Sequence, residues 1–160
     1  MFLTFYKNRC LSDKAAWSFI HEFIQENAVR WGSYSVDFFC AADQMKALRK
    51  DSGAKLKDKV YHIMVTFLEH ETRRLTADDV AEMARKVCAE YSDDYQMVYA
   101  VHYYALRLYL HIVINPINMH TKEVLKMDAC ERGMMEAYVL RYSGLEKIST
   151  YATDCREKDS

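Results

Sequence analysis

Apolar and polar side chains along this chain follow two periods, and the shorter period predicts four β-strands. The strands are Phe2 to Lys7, Val60 to Leu68, Tyr95 to His102 and Leu108 to Asn115. In the second segment, Ile63 and Val65 fall on one face while His62 falls on the other, because side chains alternate along a strand. The third and fourth segments have only residues 103 to 107 between them, which predicts an antiparallel hairpin.

The longer period predicts four helices between and after these strands. Their expected starts are Ser12-Asp13, Ser35 or Asp37, the capping signature Thr76 to Asp79, and Asp128. Helices that alternate with strands, together with a hairpin, favour an α+β fold. We expect an antiparallel sheet with helices packed mainly on one face.

Length and composition are those of a single intracellular domain. A chain of 160 residues that is 51% hydrophobic can bury one core, so we expect one domain over residues 1–152 and a frayed polar tail over 153–160. The five cysteines show no CxxC spacing, which favours reduced thiols and a cytoplasmic location. No apolar run approaches the ~18 residues that cross a bilayer, so no membrane association is expected.

The net charge is −1, but basic residues are concentrated in one stretch. The stretch contains Lys46, Arg49, Lys50, Lys55, Lys57 and Lys59. It is either a solvated helix end and loop or a surface that contacts phosphate groups, and the pattern alone leaves both interpretations open.

Two histidines are predicted to converge in the hairpin. His111 shares a strand face with Tyr109 and Asn115, and simple hairpin register brings His102 close to it. A catalytic metal commonly takes three protein ligands, and the third could be His62 or an acid such as Glu69 or Glu71. Alternatively, these are ordinary strand histidines that hydrogen-bond to backbone or water.

Four separated blocks of sequence resemble a known family over about residues 30 to 125. They are GSYSVDFFCAADQMKALR from Gly32, YHIMVTF from Tyr61, LTADDVAEMARKV from Leu75, and DYQMVYAVH through HIVINPIN from Asp94. The family is the relaxase/mobilisation nucleases of plasmids and integrative elements. The resemblance implies an HUH-type relaxase palm, a His-bound divalent metal (Mg or Mn), and a tyrosine that forms a phosphotyrosyl link to single-stranded or origin DNA.

Relative to the family pattern, this sequence keeps His102, His111 and Asn115 but replaces other positions. Tyr104 stands where the acid is expected and Tyr109 where the first histidine of the alternating pair is expected. A phenol binds a divalent metal poorly near neutral pH because it keeps its proton. Arg107 would place a positive charge near the cation or contact a phosphate.

The nucleophile expected from the family also lacks a clear match. The corresponding segment after the first strand carries Phe19 and Phe23, which have no hydroxyl. Tyr6 and Tyr34 remain as candidate catalytic residues.

The leading hypothesis is a degenerate relaxase-like DNA-binding domain of a mobile genetic element, used in plasmid mobilisation or conjugation, with little or no nicking activity. DNA contacts would come from the six basic residues above, Arg107 and Asn115. One alternative is an active metal-dependent nickase. Another is an interaction scaffold that forms a homodimer or binds a transfer-complex protein through Tyr103, Tyr104 and Tyr109.

Overall fold

Six strands form one sheet in the computed structural model, which describes residues 1–154. The strands are β1 (Phe2–Lys7), β2 (Arg30–Tyr34), β3 (Tyr61–Thr66), β4 (Met97–Tyr104), β5 (Arg107–Ile114) and β6 (Ser149–Asp154). They lie in the order β2-β4-β5-β3-β1-β6. Neighbouring strands are antiparallel except β1 and β6, which run parallel. The α+β class is confirmed, with one parallel pair added to the expected antiparallel sheet.

Five α-helices accompany the strands within the described residues. They are α1 (Asp13–Ser18), α2 (Ala41–Ser52), α3 (Glu69–Thr72), α4 (Ala77–Ala89) and α5 (Ala129–Ser143). The capping oxygens predicted at Ser12 and Thr76 act as expected, since each accepts a hydrogen bond from a backbone N–H at the start of α1 or α4. The side chain of Asp128 caps α5 in the same way. The first helix continues as a π-helical turn, Phe19–Ile24, and a 3₁₀ turn, Phe38–Cys40, precedes α2.

The helices cover both faces of the sheet, whereas the sequence favoured mainly one. On one face, α4 and α5 pack against a cluster that includes Ile63, Leu110 and Ile112. On the other, α1, the π-helical turn and α2 pack against Val98 and Val113. Both faces of β4 and β5 carry apolar side chains, and each set is buried only if helices cover it.

The hairpin between β4 and β5 fixes the register of the strands at its centre. Its turn is the pair Ala105 and Leu106, with φ of 47° and 62°. Positive φ at both central residues matches the right-handed twist of the flanking strands. Consequently His102 lies opposite Tyr109, and Ala100 lies opposite His111.

Two strands were missed by the sequence patterns. In β2, Gly32 and Ser33 interrupt the apolar signal, and Gly32 is needed because a Cβ there would overlap the Tyr99 ring. Every residue of β6 is exposed, so it has no apolar alternation. Residues 153 and 154, which were expected in a frayed tail, belong to β6, and residues 155–160 lie outside the described residues.

Candidate functional site

Three histidines form a diagonal row across the centre of the sheet. They are His102 on β4, His111 on β5 and His62 on β3. The register aligns His102 with Tyr109 and aligns His62 with Val113, so each histidine is two residues out of step with its neighbour. All three lie on the face that α1 and the π-helical turn cover. Strand alternation and hairpin register thus bring the predicted histidines together.

Neighbouring imidazoles in the row are in direct contact. His62 Nε2 and His111 Nδ1 are 3.0 Å apart, so one ring donates its N–H to the other. The ring centroids of His102 and His111 are 4.8 Å apart. His102 Nε2 instead donates to the backbone carbonyl of Ile24 at 3.0 Å.

The π-helical turn places an aromatic side chain over the row. The Phe23 ring contacts His111 edge-on with centroids 5.2 Å apart, and its centroid lies 6.2 and 6.3 Å from those of His102 and His62. The backbone N–H of Gln25 bonds to the carbonyl of Ile20 at 3.0 Å, five residues back. This wider turn is a feature that often marks functional positions in helices.

A permanent positive charge lies beside the same rings. The guanidinium carbon of Arg9 is 4.5 Å from the Tyr6 ring centroid, 5.0 Å from that of Phe19 and 5.6 Å from that of Phe23. Within residues 1–154 its buried Nε has no hydrogen-bond partner. Sequence reasoning missed Arg9, since a single arginine after a strand carries no pattern that points to a site.

Burial and nearby positive charge keep the inner histidines neutral. Burial, then His111 and Arg9, hold the pKa of His62 well below its ordinary value. Burial, then His102 and Arg9, lower the pKa of His111 to about 3. Both rings are therefore uncharged at neutral pH.

Comparison with protein families identifies the domain. The family "Relaxase: MobA/VirD2-like, nuclease domain" matches residues 11–140. The chain belongs to this relaxase family. The resemblance seen over about residues 30 to 125 is thereby confirmed, and the relaxase fold agrees with the α+β sheet. Comparisons with curated proteins and with solved structures gave no significant match.

The relaxase family is generally metal-dependent, but the donor groups of this chain do not fit a three-ligand metal site. His62 and His111 use facing nitrogens to bond each other, and His102 directs Nε2 at a backbone carbonyl. Arg9 adds a positive charge that would repel a divalent cation. Over residues 1–154, no group of three or more His, Cys, Asp or Glu side chains is arranged to hold a metal ion.

The two candidate nucleophiles lie on opposite faces of this relaxase sheet. Tyr6 stacks on His62, with ring centroids 4.6 Å apart and planes 8° apart. Tyr34 packs on the other face, beside α4, and its hydroxyl donates to the carbonyl of Arg85 at 3.3 Å. Burial, the largest cause, raises the pKa of Tyr34 to about 12. The sheet therefore separates Tyr34 from the histidine row, whereas Tyr6 lies beside it.

Two of the residues expected to contact DNA are buried in this structure. Arg49 is 6% exposed and donates to Asp13 at 2.9 Å, so it links α2 to α1. Asn115 is fully buried and donates to the carbonyl of Met45 and to the side chain of Gln96. Both side chains face the interior that the helices cover and not solvent.

The other predicted contacts are distributed over several surfaces. Lys46, Lys50 and Arg107 are exposed, the first two on α2 and the last at the hairpin tip. Lys59 donates to the carbonyl of Leu56 at 3.0 Å. Lys55 and Lys57 line a cleft that His62 also lines.

A larger cleft of about 700 Å³ opens at the other end of the histidine row. Its walls include Phe23, Tyr103, Tyr104 and Tyr109, with His102 and His111 at the base. Glu22 and Glu26 add two carboxylates that sequence reasoning did not select. We call this the aromatic cleft.

No helix among residues 1–154 is long and apolar enough to cross a membrane.

Proposed function

We propose that this relaxase domain binds single-stranded DNA of a mobile genetic element and has lost metal-dependent nicking. The observation that carries the proposal is the direct bond between His62 and His111 beneath the ring of Phe23. Imidazole nitrogens that satisfy one another, with a phenyl ring over them, leave no open position for a metal-bound phosphate.

The replaced positions support the same conclusion. Attack on a phosphodiester requires stabilisation of developing negative charge and an activated nucleophile. Tyr104 and Tyr109 stand where the family pattern has an acid and a histidine, and Phe19 and Phe23 occupy the segment where the nucleophile is expected. Of the two candidate nucleophiles, Tyr6 is the one beside the row, and it lies flat on His62 with its hydroxyl 3.9 Å from the sulfur of Met64.

DNA binding is supported by the aromatic cleft. Tyr103, Tyr104 and Phe23 are 53%, 75% and 44% exposed at its walls. Exposed aromatic rings in a groove stack on unpaired bases, and each such base contributes about 1–3 kcal/mol of binding. Glu22 and Glu26 would repel phosphates, so we expect bases and not the backbone to enter this cleft.

A fluorescent single-stranded oligonucleotide tests both parts of the proposal. Fluorescence anisotropy should show salt-dependent binding, and incubation with Mn²⁺ followed by a denaturing gel should show no protein-DNA adduct. An adduct that survives denaturation would establish the alternative, a working nickase that forms a phosphotyrosyl intermediate.

Substitution of Tyr104 identifies the binding surface. Tyr104→Ala should weaken oligonucleotide binding about 5- to 100-fold, while Tyr104→Phe, which keeps the ring, should bind nearly as well as the wild type. Absence of binding by the wild-type domain would favour the scaffold alternative, in which the same tyrosines contact a protein. Light scattering at several concentrations would then show self-association.

A further inference from the structure

A second cleft, of about 370 Å³, lies at the opposite end of the histidine row from the aromatic cleft. It is bounded by the end of β1, the segment 55–58, and the first turn of α5. Its charged lining is Lys7, Lys55, Lys57, Arg132 and Asp58. With four cations and one carboxylate, the cleft carries a formal excess of three positive charges, and we call it the basic cleft.

The four cations have no carboxylate partners in the part of the chain that is described. None of Lys7, Lys55, Lys57 or Arg132 forms an ion pair there. One nitrogen of Arg132 donates to the carbonyl of Met127 at 2.9 Å. Like charges gathered around one cleft repel each other, and a bound anion would relieve that repulsion.

His62 supplies a neutral polar group to the lining of the same cleft. The residue is 2% exposed, and its Nε2 is committed to His111. Its Nδ1 is buried and has no hydrogen-bond partner among residues 1–154. A buried nitrogen without a partner is unfavourable, so such atoms are uncommon unless a ligand or water satisfies them. With the proton on Nδ1, His62 can donate to an anion while Nε2 accepts from His111.

The remaining lining is apolar enough to hold more than a bare anion. Tyr6, Tyr61, Val124 and Met127 contribute to the walls. A volume of about 370 Å³ falls within the range of small-molecule sites, roughly 300–1,000 Å³. A nucleotide would place its phosphate among the cations and its sugar and base against these side chains.

We propose that the basic cleft binds the phosphate group of a nucleotide, with His62 Nδ1 and the lysine ammonium groups as donors. The nucleotide is either one unit of a DNA strand, in which case the inference rests on the proposed function, or a free mononucleotide. If the ligand is a DNA strand, its bases occupy the aromatic cleft, its phosphate backbone occupies the basic cleft, and the histidine row lies between the two clefts.

Three ligands separate the possible sources of the phosphate: inorganic phosphate, thymidine monophosphate, and a twelve-residue oligothymidylate without terminal phosphates. Binding is measured by titration calorimetry, and the ¹⁵N resonances of labelled histidine report on His62. We expect the His62 Nδ1 resonance to shift with the oligothymidylate, or with the mononucleotide if the free form is the ligand. Unchanged His62 resonances with all three ligands would overturn the inference.

Paired charge variants provide the second test. Lys7→Gln with Lys57→Gln removes two exposed cations from the basic cleft, whereas Lys14→Gln with Lys147→Gln removes two exposed cations elsewhere. The first pair should weaken binding of the ligand about tenfold. For the oligonucleotide, it should also reduce the slope of log affinity against log salt concentration by about 1.4, since each phosphate contact in a single strand contributes ~0.7.

The second pair should change affinity less than about twofold, because it removes the same charge without removing a cleft contact. Equal effects of the two pairs would overturn the inference. If Tyr104→Ala weakens oligonucleotide binding but the cleft pair does not, the basic cleft is not used while the proposed function stands. If an adduct forms on Mn²⁺ and the cleft pair still weakens binding, the loss of nicking is refuted and the phosphate site remains.

Discussion

His62 Nε2 and His111 Nδ1 lie 3.0 Å apart on adjacent strands, and neither ring carries a charge at neutral pH. The contact joins the start of β3 to the middle of β5. Since both rings are buried, protonating either one would place an unpaired positive charge beside the other ring and Arg9. The pair is therefore stable only as long as it stays neutral.

Acid should destabilise the domain before its carboxylates are protonated. Both histidines have folded-state pKa values below the unfolded value of about 6.5, so the unfolded chain binds more protons once the pH falls below that value. Their contribution to stability is complete above pH 6.5 and is lost as the pH falls toward the folded pKa, which for His111 is about 3. Urea unfolding should show a loss of about 1.4 kcal/mol per pH unit for each histidine below pH 6.

The double variant His62→Asn with His111→Asn tests whether these two histidines cause the acid sensitivity. It should be less stable than the wild type at pH 7.5 but should show a much flatter dependence between pH 7.5 and 5. His120→Asn, which alters an exposed histidine, should keep the wild-type slope. A slope that persists in the double variant would assign the acid sensitivity to other groups.

Restoring a ligand should restore metal affinity. Tyr109 lies opposite His102 and shares its strand face with His111, so Tyr109→His would add a third imidazole at this end of the row. The added ligand makes metal binding favourable enough to displace the hydrogen bond between His111 and His62, whose net contribution is only about 1 kcal/mol. Thermal unfolding with and without Mn²⁺ or Zn²⁺ should show a metal-dependent rise in Tm for Tyr109→His.

Tyr109→Phe is the matched control, because it keeps the ring and adds no ligand. It should show the same small response to metal as the wild-type domain. If Tyr109→His also shows no additional response, then Phe23 and Arg9 block the site whatever donors surround it.

Arg49, one of the residues expected to contact DNA, allows the effect of a buried charge on stability to be measured. Two of its guanidinium nitrogens, Nε and one terminal nitrogen, are buried without partners among residues 1–154, while the other donates to Asp13. Removing one partner of an ion pair is costly when the charge left behind is buried, and much less so when water can solvate that charge. Arg49→Met leaves the Asp13 carboxylate, which is 44% exposed, whereas Asp13→Ala leaves the buried Arg49 guanidinium unpaired. We expect Arg49→Met to change the free energy of unfolding by less than about 1 kcal/mol, and Asp13→Ala to lower it by about 1–3 kcal/mol.

Oligonucleotide binding completes this test. Arg49→Met should bind DNA with wild-type affinity, because the side chain is not available at the surface. Weaker binding by a well-folded Arg49→Met protein would restore Arg49 as a phosphate contact.

Two glycines should respond in opposite directions to alanine. At Gly32 in β2 a methyl group would overlap the buried ring of Tyr99, so Gly32→Ala should lower the free energy of unfolding by about 1–3 kcal/mol. At Gly133 in α5 the added methyl meets open space, and Gly133→Ala should raise the free energy of unfolding by about 0.5–1 kcal/mol. Urea unfolding of the two variants in parallel measures both effects, and a neutral Gly32→Ala would show that the Tyr99 ring can move.

Local patterns were sufficient to predict the elements that carry the histidines. Alternation in β3 correctly separated His62 from Ile63, and the short hairpin connection brought His102 and His111 onto one face. These inferences depend on strand geometry alone. The longer, helical period correctly predicted α4, whose capping box at Thr76 and Asp79 is entirely local.

The parts that failed depend on contacts between distant segments. The position of Phe23 over the row requires a π-helical turn, which helical periodicity does not distinguish from an α-helix. The position of Arg9 depends on how β1 pairs with β3 and on what packs above them. Asn115 is buried because α2 packs over it, and its side chain donates to the carbonyl of Met45 in that helix.

The parallel edge strand has a consequence for the order in which the sheet opens. Among the strands of residues 1–154, β6 pairs only with β1, every residue in it is exposed, and the two strands lie at opposite ends of the described chain. The strand buries little side-chain surface, so its local release requires less free energy than opening the centre of the sheet. Amide protons of β6 should exchange with solvent far sooner than those of β5, so the domain can release β6 while the histidine row stays closed.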